Sequence, residues 1–125
     1  MEHLPFSAYG RLIELAYTKL RSGGLLILET QNPECLAIYS QTFFLDPTHV
    51  RPVPAAQLQF LFTEAGFTGV EIHYLSPVGE TLPQLPLWPG NGGAGAAAQS
   101  WNQAAERFNR AYFGHMDYAI VGHKR

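Results

Sequence analysis

The stretch Leu20-Arg-Ser-Gly-Gly-Leu-Leu-Ile-Leu-Glu-Thr30 is the part of the sequence that decides the fold. Its Gly-Gly turn ends a helical pattern, and the unbroken apolar run after it predicts a strand buried on both faces. Such strands are typical of α/β sheets. Ser7 is the predicted N-cap of the preceding helix. One helical stripe of apolar residues comprises Leu12, Ile13, Ala16, Tyr17 and Leu20.

Four further segments follow this strand. Helical spacing over 54–65 with a stop at Gly66 predicts a second helix, and alternation over 70–74 predicts a half-buried strand. Residues 97–112 are predicted to form a third helix, and 118–121 a last strand. The aromatic residues from Trp101 to Tyr118 are expected in the core and not in a platform for a ligand.

Two segments have no clear period. Residues 31–54 contain three prolines and the polar string Asp46-Pro-Thr-His-Val-Arg51, which indicates either a functional loop or a short hidden helix. Residues 77–98 are rich in Pro, Gly and Ala and are expected to be an insertion, mobile in part, within a single domain of residues 1–125.

The bulk composition excludes several classes of protein. With 46% hydrophobic and 14% charged residues, the chain is not intrinsically disordered. The net charge of −2 and the dispersed Lys and Arg residues predict no nucleic-acid partner. No apolar run approaches the roughly 20 residues of a membrane span, so no membrane partner is expected. The single cysteine, Cys35, fits a reducing compartment, and we expect a cytoplasmic protein.

Four stretches resemble class I S-adenosylmethionine-dependent methyltransferases, above all the branch found in polysaccharide and glycan biosynthesis. Glu2-His3-Leu4-Pro5 resembles the segment after the fourth strand of these enzymes, and residues 20–29 resemble their approach to the fifth strand. Asn32-Pro33 with residues 46–52 resembles the substrate-side loop, and residues 64–71 resemble the turn into the sixth strand. The likeness covers residues 2–76 and returns at 113–124.

The resemblance implies an α/β fold that is the C-terminal half of a Rossmann-like methyltransferase. Its small mixed sheet would have the family strand order five, seven, six, with the last strand antiparallel in the middle and the two N-terminal helices on one face. The glycine-rich strand–turn–helix that holds the cofactor in the family has no counterpart here. S-adenosylmethionine is therefore the expected cofactor of the complete enzyme but is not expected to bind this chain tightly.

Candidate catalytic residues lie in two places. On the loop, His49 is the first candidate for general base, with Asp46 and Arg51 beside it to orient a hydroxylated or anionic acceptor. By resemblance His3 lies near the acceptor and is a second candidate base, although a frayed terminus is the plainer expectation for Glu2 and His3. The plainer alternative for the loop is a turn capped by Asp46 and a structural salt bridge of Arg51.

Candidate cofactor contacts are Glu2, by resemblance, and Glu29 and Asn32, which follow or end a buried strand where open α/β sheets place ligands. Loop hydrogen bonds are the alternative role for Glu29 and Asn32. The five histidines show no metal-ligand spacing, so no metal site is expected.

The leading functional hypothesis is a methyltransferase fragment, inactive alone, whose complete form methylates a hydroxyl of a sugar or another small molecule. A non-catalytic binding or oligomerisation module is the alternative, and an unrelated small α/β enzyme is a third possibility that rests on the 46–51 loop alone. The resemblance also predicts an open hydrophobic edge on the 25–28 strand and a bare sheet face, unless residues 77–112 fold over that face. We therefore expect self-association through this edge or through an exchanged segment.

Overall fold

A computed structural model describes residues 1–79, 81–87 and 93–125 of the chain. Four helices and three strands make up the described part. In chain order they are α1 (Tyr9–Lys19), β1 (Leu25–Gln31), α2 (Ala37–Gln41), α3 (Ala55–Glu64), β2 (Thr68–Pro77), α4 (Gly93–Tyr112) and β3 (His115–His123).

The three strands form one sheet in the order β1-β3-β2, and β3 is antiparallel to both neighbours. In one row across the sheet Leu28 pairs with Ile120, which pairs with Ile72. This order confirms the prediction that the last strand of the chain lies between the other two. It leaves β1 and β2 as the two edges of the described sheet.

The hydrophobic core lies between one face of the sheet and the helices α1 and α3, which confirms that both helices lie on the same face. Ile120 at the centre of the sheet is completely buried, as are Ile13 of α1 and Phe62 of α3. We call this side the covered face. Gly122 lets the sheet approach α3 closely, because a Cβ at this position would lie 2.6 Å from Cδ1 of Phe62.

We call the opposite side of the sheet the open face. The side chains that β1 places on this face are more exposed than predicted. Leu25 and Ile27 are 45% and 56% exposed, so β1 is buried on one face only and the prediction of burial on both faces was wrong. The described residues of β1 that pack against the core, Leu26 and Leu28, alternate with Leu25 and Ile27 and so lie on the covered face. An unbroken apolar run cannot distinguish a strand with helices on both sides from one with helices on a single side.

The start of the chain also departs from the prediction in detail. A short 3₁₀ turn, Phe6–Ala8, precedes α1, and no side chain caps either element, so Ser7 is not an N-cap. The irregular segment after β1 contains α2 and a 3₁₀ turn, Phe43–Leu45, which agrees with the alternative of a short hidden helix. Cys35 and Phe43 lie here in a second small core with Ala37 and Ile38.

Helix α4 is largely exposed, which contradicts the prediction that its aromatic residues lie in the core. Trp101, Phe108 and Tyr112 are 42%, 39% and 42% exposed, and the buried residues of α4 are alanines. The helix begins at Gly93, inside the predicted insertion, of which residues 80 and 88–92 lie outside the described part. No helix among the described residues has the length and hydropathy needed to cross a membrane.

Asparagine side chains attach the extended segment 81–87 to α4. Asn109 exchanges two hydrogen bonds with the backbone of Leu82, both 2.9 Å. Asn102, two helical turns earlier, makes the same pair with Leu85, at 2.7 and 2.8 Å. An amide side chain offers one donor and one acceptor, so it can pair with a peptide group as a neighbouring strand would. This part of the predicted insertion is therefore ordered against the helix.

Candidate functional site

The N-terminal segment is fixed in place, which contradicts the expectation of a frayed terminus. The carbonyl oxygen of Glu2 accepts hydrogen bonds from the backbone of Val50 at 2.7 Å and of Arg51 at 3.4 Å. These bonds join residues far apart in sequence, so a propensity argument could not find them. They place Glu2 and His3 directly beside the 46–51 loop.

The Glu2 carboxylate is the centre of the site. Its side chain is 13% exposed, and its Oε2 accepts hydrogen bonds from the Thr30 hydroxyl and from the Met1 amino group, the latter at 2.8 Å. Burial raises the pKa of Glu2, but these hydrogen bonds outweigh burial and lower it to about 2. Glu2 is therefore an anion at every physiological pH. Both hydrogen bonds go to Oε2, so neither of these contacts among the described residues uses Oε1.

His3 is oriented by a short chain of hydrogen bonds. The Thr48 hydroxyl donates to Asp46 Oδ1 at 2.7 Å, so its oxygen is left to accept a hydrogen bond from His3 Nδ1, 2.8 Å away. The Thr48 amide also donates to the same Asp46 oxygen, which closes a tight turn. Both Thr48 bonds hold the pKa of Asp46 below its ordinary value. The proton of a neutral His3 therefore sits on Nδ1 and its Nε2 is an electron-pair donor.

His49 has the same tautomer for a similar reason. Its Nδ1 lies 2.7 Å from the carbonyl oxygen of Phe43, which can only accept, so Nδ1 donates. The side chain is 8% exposed, and its Nε2 lies 3.9 Å from Glu2 Oε1 and 3.7 Å from Asp46 Oδ2. A neutral His49 thus presents a lone pair toward two carboxylates.

These groups converge on a single point. His3 Nε2 also lies 3.9 Å from Glu2 Oε1, and the two imidazole rings are 4.7 Å apart at their centres. One ligand atom from each of Glu2, His3 and His49 lies within 4.8 Å of the other two. Two neutral imidazole nitrogens and an anionic oxygen can accept a proton from a hydroxyl, or bind a positively charged group.

Arg51 does not join this cluster. Its guanidinium donates to Gln57 Oε1 at 3.3 Å and lies over the Phe6 ring, 5.1 Å from the centroid. Among the described residues no carboxylate forms a salt bridge with Arg51, so the expected structural salt bridge is replaced by these contacts.

The other two predicted cofactor contacts, Glu29 and Asn32, differ in their surroundings. Glu29 is exposed and points to the open face, because side chains alternate along β1 and Thr30 faces the covered side. Asn32 is 4% exposed, and its amide is used within the chain: Nδ2 donates to the His115 carbonyl and Oδ1 accepts from the Glu34 amide. The described residues therefore provide no complete set of contacts for S-adenosylmethionine.

Several residues at the site were not singled out by the sequence. Thr48 sets the tautomer of His3, and its signal was the turn that begins at Asp46. Tyr9 and Tyr118 are completely buried under Glu2, and burial raises the pKa of both hydroxyls. The Tyr118 hydroxyl donates to the Val53 carbonyl at 2.7 Å, whereas that of Tyr9 has no partner among the described residues. No spacing in the sequence indicates these contacts.

The chain is similar to a solved structure of a SAM dependent methyltransferase from Archaeoglobus fulgidus. The two share 32% sequence identity with a TM-score of 0.81, over 98% of this chain. The matched region is 55% of the other protein, so this chain spans about half of its length. No protein-family model and no curated protein sequence matches the chain. The chain therefore has the fold of part of a SAM-dependent methyltransferase.

Proposed function

We propose that the chain is the C-terminal half of a class I methyltransferase of the glycan-biosynthesis kind. The complete enzyme would transfer a methyl group from S-adenosylmethionine to a hydroxyl of a sugar or another small molecule. The observation that carries the proposal is the Glu2–His3–His49 cluster, which lies beside the C-terminal end of β1 through the bond from Thr30. Ligands of open α/β sheets lie at that end of the strands. The likeness to the Archaeoglobus fulgidus enzyme supports the same reaction class.

The contribution of these residues is to orient the acceptor and to remove its proton. His49 Nε2 is the first candidate for general base, because Nδ1 holds the ring proton and the side chain is nearly buried. The negative charge of Glu2, 3.9 Å away, stabilises the imidazolium that forms. Asp46 adds a second negative charge at 3.7 Å. Arg51 points away from this position, so we give it no part in acceptor binding.

Binding of the methyl donor by this chain alone is not part of the proposal, because Glu29 faces the open side of the sheet and the Asn32 amide is already hydrogen-bonded within the chain. Calorimetric titration of the 125-residue chain with S-adenosylmethionine and S-adenosylhomocysteine tests this point. We expect no saturable heat at high micromolar ligand. Saturable one-to-one binding would show that the chain, or a dimer of it, forms a cofactor site.

Methyl transfer itself is tested with the protein encoded by the longest open reading frame that includes these residues. Mass spectrometry of hydroxylated sugars incubated with that protein and S-adenosylmethionine should detect a mass gain of one methyl group. Substitution of His49 by Gln should reduce the rate roughly 100-fold or more if it is the base, and His73→Gln, on an exposed site elsewhere, is the control. An unchanged rate in His49→Gln would remove the assigned role.

The alternative is a non-catalytic binding or oligomerisation module in the cytoplasm, and a specific feature favours it. The outer edge of β1 has no strand partner among the described residues, and Leu25 and Ile27 are exposed next to it. Unpaired strand edges with apolar side chains pair readily with other chains. Self-association would cover this edge in either reading of the function.

Light scattering at micromolar protein concentration tests the self-association. We expect a dimer or larger species, and we expect Ile27→Lys to shift the protein toward the monomer, because a charge on an edge strand opposes pairing. The matched control is a lysine at an exposed position of α4, Gln103→Lys. A monodisperse wild-type monomer would contradict the proposal.

A further inference from the structure

We propose that Glu2, His3 and His49 form a binding site for a divalent transition-metal ion, most simply Zn²⁺, with Asp46 as a fourth ligand. This proposal replaces the sequence-based expectation of no metal site. With an ion bound, His49 Nε2 is a ligand and not a base, so the metal-bound form would not use His49 for proton removal. Metal binding is measured on this chain without methyl transfer, so the two proposals can fail separately. Two imidazole nitrogens with carboxylate oxygens are a ligand set that Zn²⁺ and its neighbours in the first transition row accept.

The orientation of both imidazoles carries the argument. A histidine that binds a metal through one nitrogen almost always donates its other N–H to an oxygen acceptor. His49 does so through Nδ1 to the Phe43 carbonyl, and His3 does so to the Thr48 hydroxyl, which is itself held by Asp46. Both Nε2 lone pairs are therefore left unused by these hydrogen bonds, and both Nε2 atoms lie 3.9 Å from Glu2 Oε1. Two independent hydrogen bonds set the same tautomer at adjacent histidines.

The distances are compatible with a site that closes on an ion. Both Nε2 atoms lie 3.9 Å from Glu2 Oε1, and Asp46 Oδ2 lies 3.7 Å from His49 Nε2. Ligand atoms around tetrahedral Zn²⁺ with bonds near 2 Å are about 3.3 Å apart, so each pair must approach by roughly 0.5 to 1.5 Å. His3 can make this movement because its side chain is 48% exposed.

The negative charge of the ligand set and its access from solvent also suit a cation. Glu2 Oε2 is held by Thr30, which fixes the carboxylate and leaves Oε1 facing the histidines. With Glu2 and Asp46 ionised the ligand set carries two negative charges, which a divalent ion neutralises. The ion would enter on the side of His3, whereas His49 is 8% exposed and closes the other side.

A titration with Co²⁺ on the 125-residue chain, purified without a polyhistidine tag and treated with a chelator, tests the site. Co²⁺ bound by nitrogen and oxygen ligands absorbs visible light, and Zn²⁺ should displace it and abolish the band. We expect one equivalent to bind. His3→Gln should weaken binding at least about 100-fold and Thr48→Val about 10-fold, since outer-shell partners contribute 10- to 100-fold to metal affinity.

His73→Gln and His123→Gln are the matched controls, because both side chains are exposed and lie outside the cluster. Their binding should equal that of the wild type. His49→Gln should also lose binding, and circular dichroism will show whether that more buried variant folds. His3→Gln keeps the test decisive if it does not. No visible band with the folded wild type, or equal loss in the His73→Gln control, would overturn the proposal.

Discussion

The two faces of the sheet carry similar apolar residues in very different surroundings. Ile120 of β3 is completely buried against α1 and α3, whereas Ile27 of β1, one step away in the ladder on the opposite face, is 56% exposed. Burial of such a side chain contributes about 1.5–3 kcal/mol on the covered face and much less on the open one. The open face is where the self-association proposed above would add most stability.

The largest difference between the faces should come from shortening the same residue type on each. Ile120→Ala should lower the free energy of unfolding by about 2–5 kcal/mol, because it leaves a cavity in the core. Ile27→Ala should lower it by less than about 1 kcal/mol. Urea denaturation at a concentration where the chain is monomeric measures both. Equal losses would show that the open face is covered in solution.

The next largest loss of stability is expected at Gly122, where the covered face of the sheet lies close to α3. Gly122→Ala would bring a methyl group to 2.6 Å from Phe62 Cδ1 and 3.0 Å from Phe67 Cβ, and should cost about 1–3 kcal/mol. Gly79→Ala is the control, because nothing lies within 4 Å of its Cβ position. The Gly79→Ala value should stay within about 0.5 kcal/mol of the wild type.

Thermal unfolding followed by circular dichroism checks this pair. A second substitution, Phe62→Leu, should recover part of the loss in the Gly122→Ala background, since it removes the atoms that clash. An undiminished melting temperature in Gly122→Ala alone would mean that α3 packs less closely than the structure has it.

The carboxylates on either side of β1 provide a third comparison. Glu2→Gln should cost about 1–2 kcal/mol at neutral pH, because it removes the charge that strengthens the bond from Thr30. Glu29→Gln, exposed on the open face, should change stability by less than about 0.5 kcal/mol.

The pH dependence identifies the source of this effect. The folded pKa of Glu2, about 2, lies below its ordinary value of 4.5, so its stabilisation is present above pH 4.5 and is lost as the pH falls toward 2. Urea denaturation as a function of pH should therefore show a smaller acid loss in Glu2→Gln than in Glu29→Gln. Parallel curves would mean that the Glu2 carboxylate is not held as described.

The smallest effect is expected from the ion pair on the open face. His73 Nε2 lies 3.3 Å from Glu71 Oε2, with the two side chains 53% and 70% exposed. Solvent weakens such a pair, so Glu71→Gln should change stability by less than about 0.5 kcal/mol. Urea denaturation at low and high salt checks this value, and a salt-sensitive loss above 1 kcal/mol would contradict it.

The order of the elements and most of the core were predictable from local pattern. The period of the apolar residues in 55–64 identified α3 and its buried residues Leu58 and Phe62, and Gly66, with a φ of 98°, ended the helix as expected. The alternation after Gly66 identified β2. The pattern also identified α4 as a helix, but it could not predict that its aromatic residues are exposed, because an amphipathic helix has the same period whether its apolar face is covered or exposed.

The sequence could predict which residues belong to the site, but not that all of them lie close together. His49 and Asp46 stand out as chemically capable residues on a polar loop, and their proximity follows from sequence spacing. The approach of Glu2 and His3 to this loop does not follow from sequence spacing. It requires the Glu2 carbonyl to pair with Val50 and the Glu2 carboxylate to pair with Thr30. The expectation of no metal site came from the spacing of the histidines in the sequence, and spacing does not include these long-range bonds.

The sequence by itself determined the strands, the helices α1 and α3, the position of β3 between β1 and β2, and the residue types available for chemistry. These properties depend on short-range periodicity, on turn residues and on a resemblance carried by local motifs. The tertiary structure alone decided that the aromatic residues of α4 are exposed, where Arg51 points, and that two histidines and a carboxylate meet. Each of these depends on contacts between residues distant in sequence, whose energies are set by the packing of the whole chain.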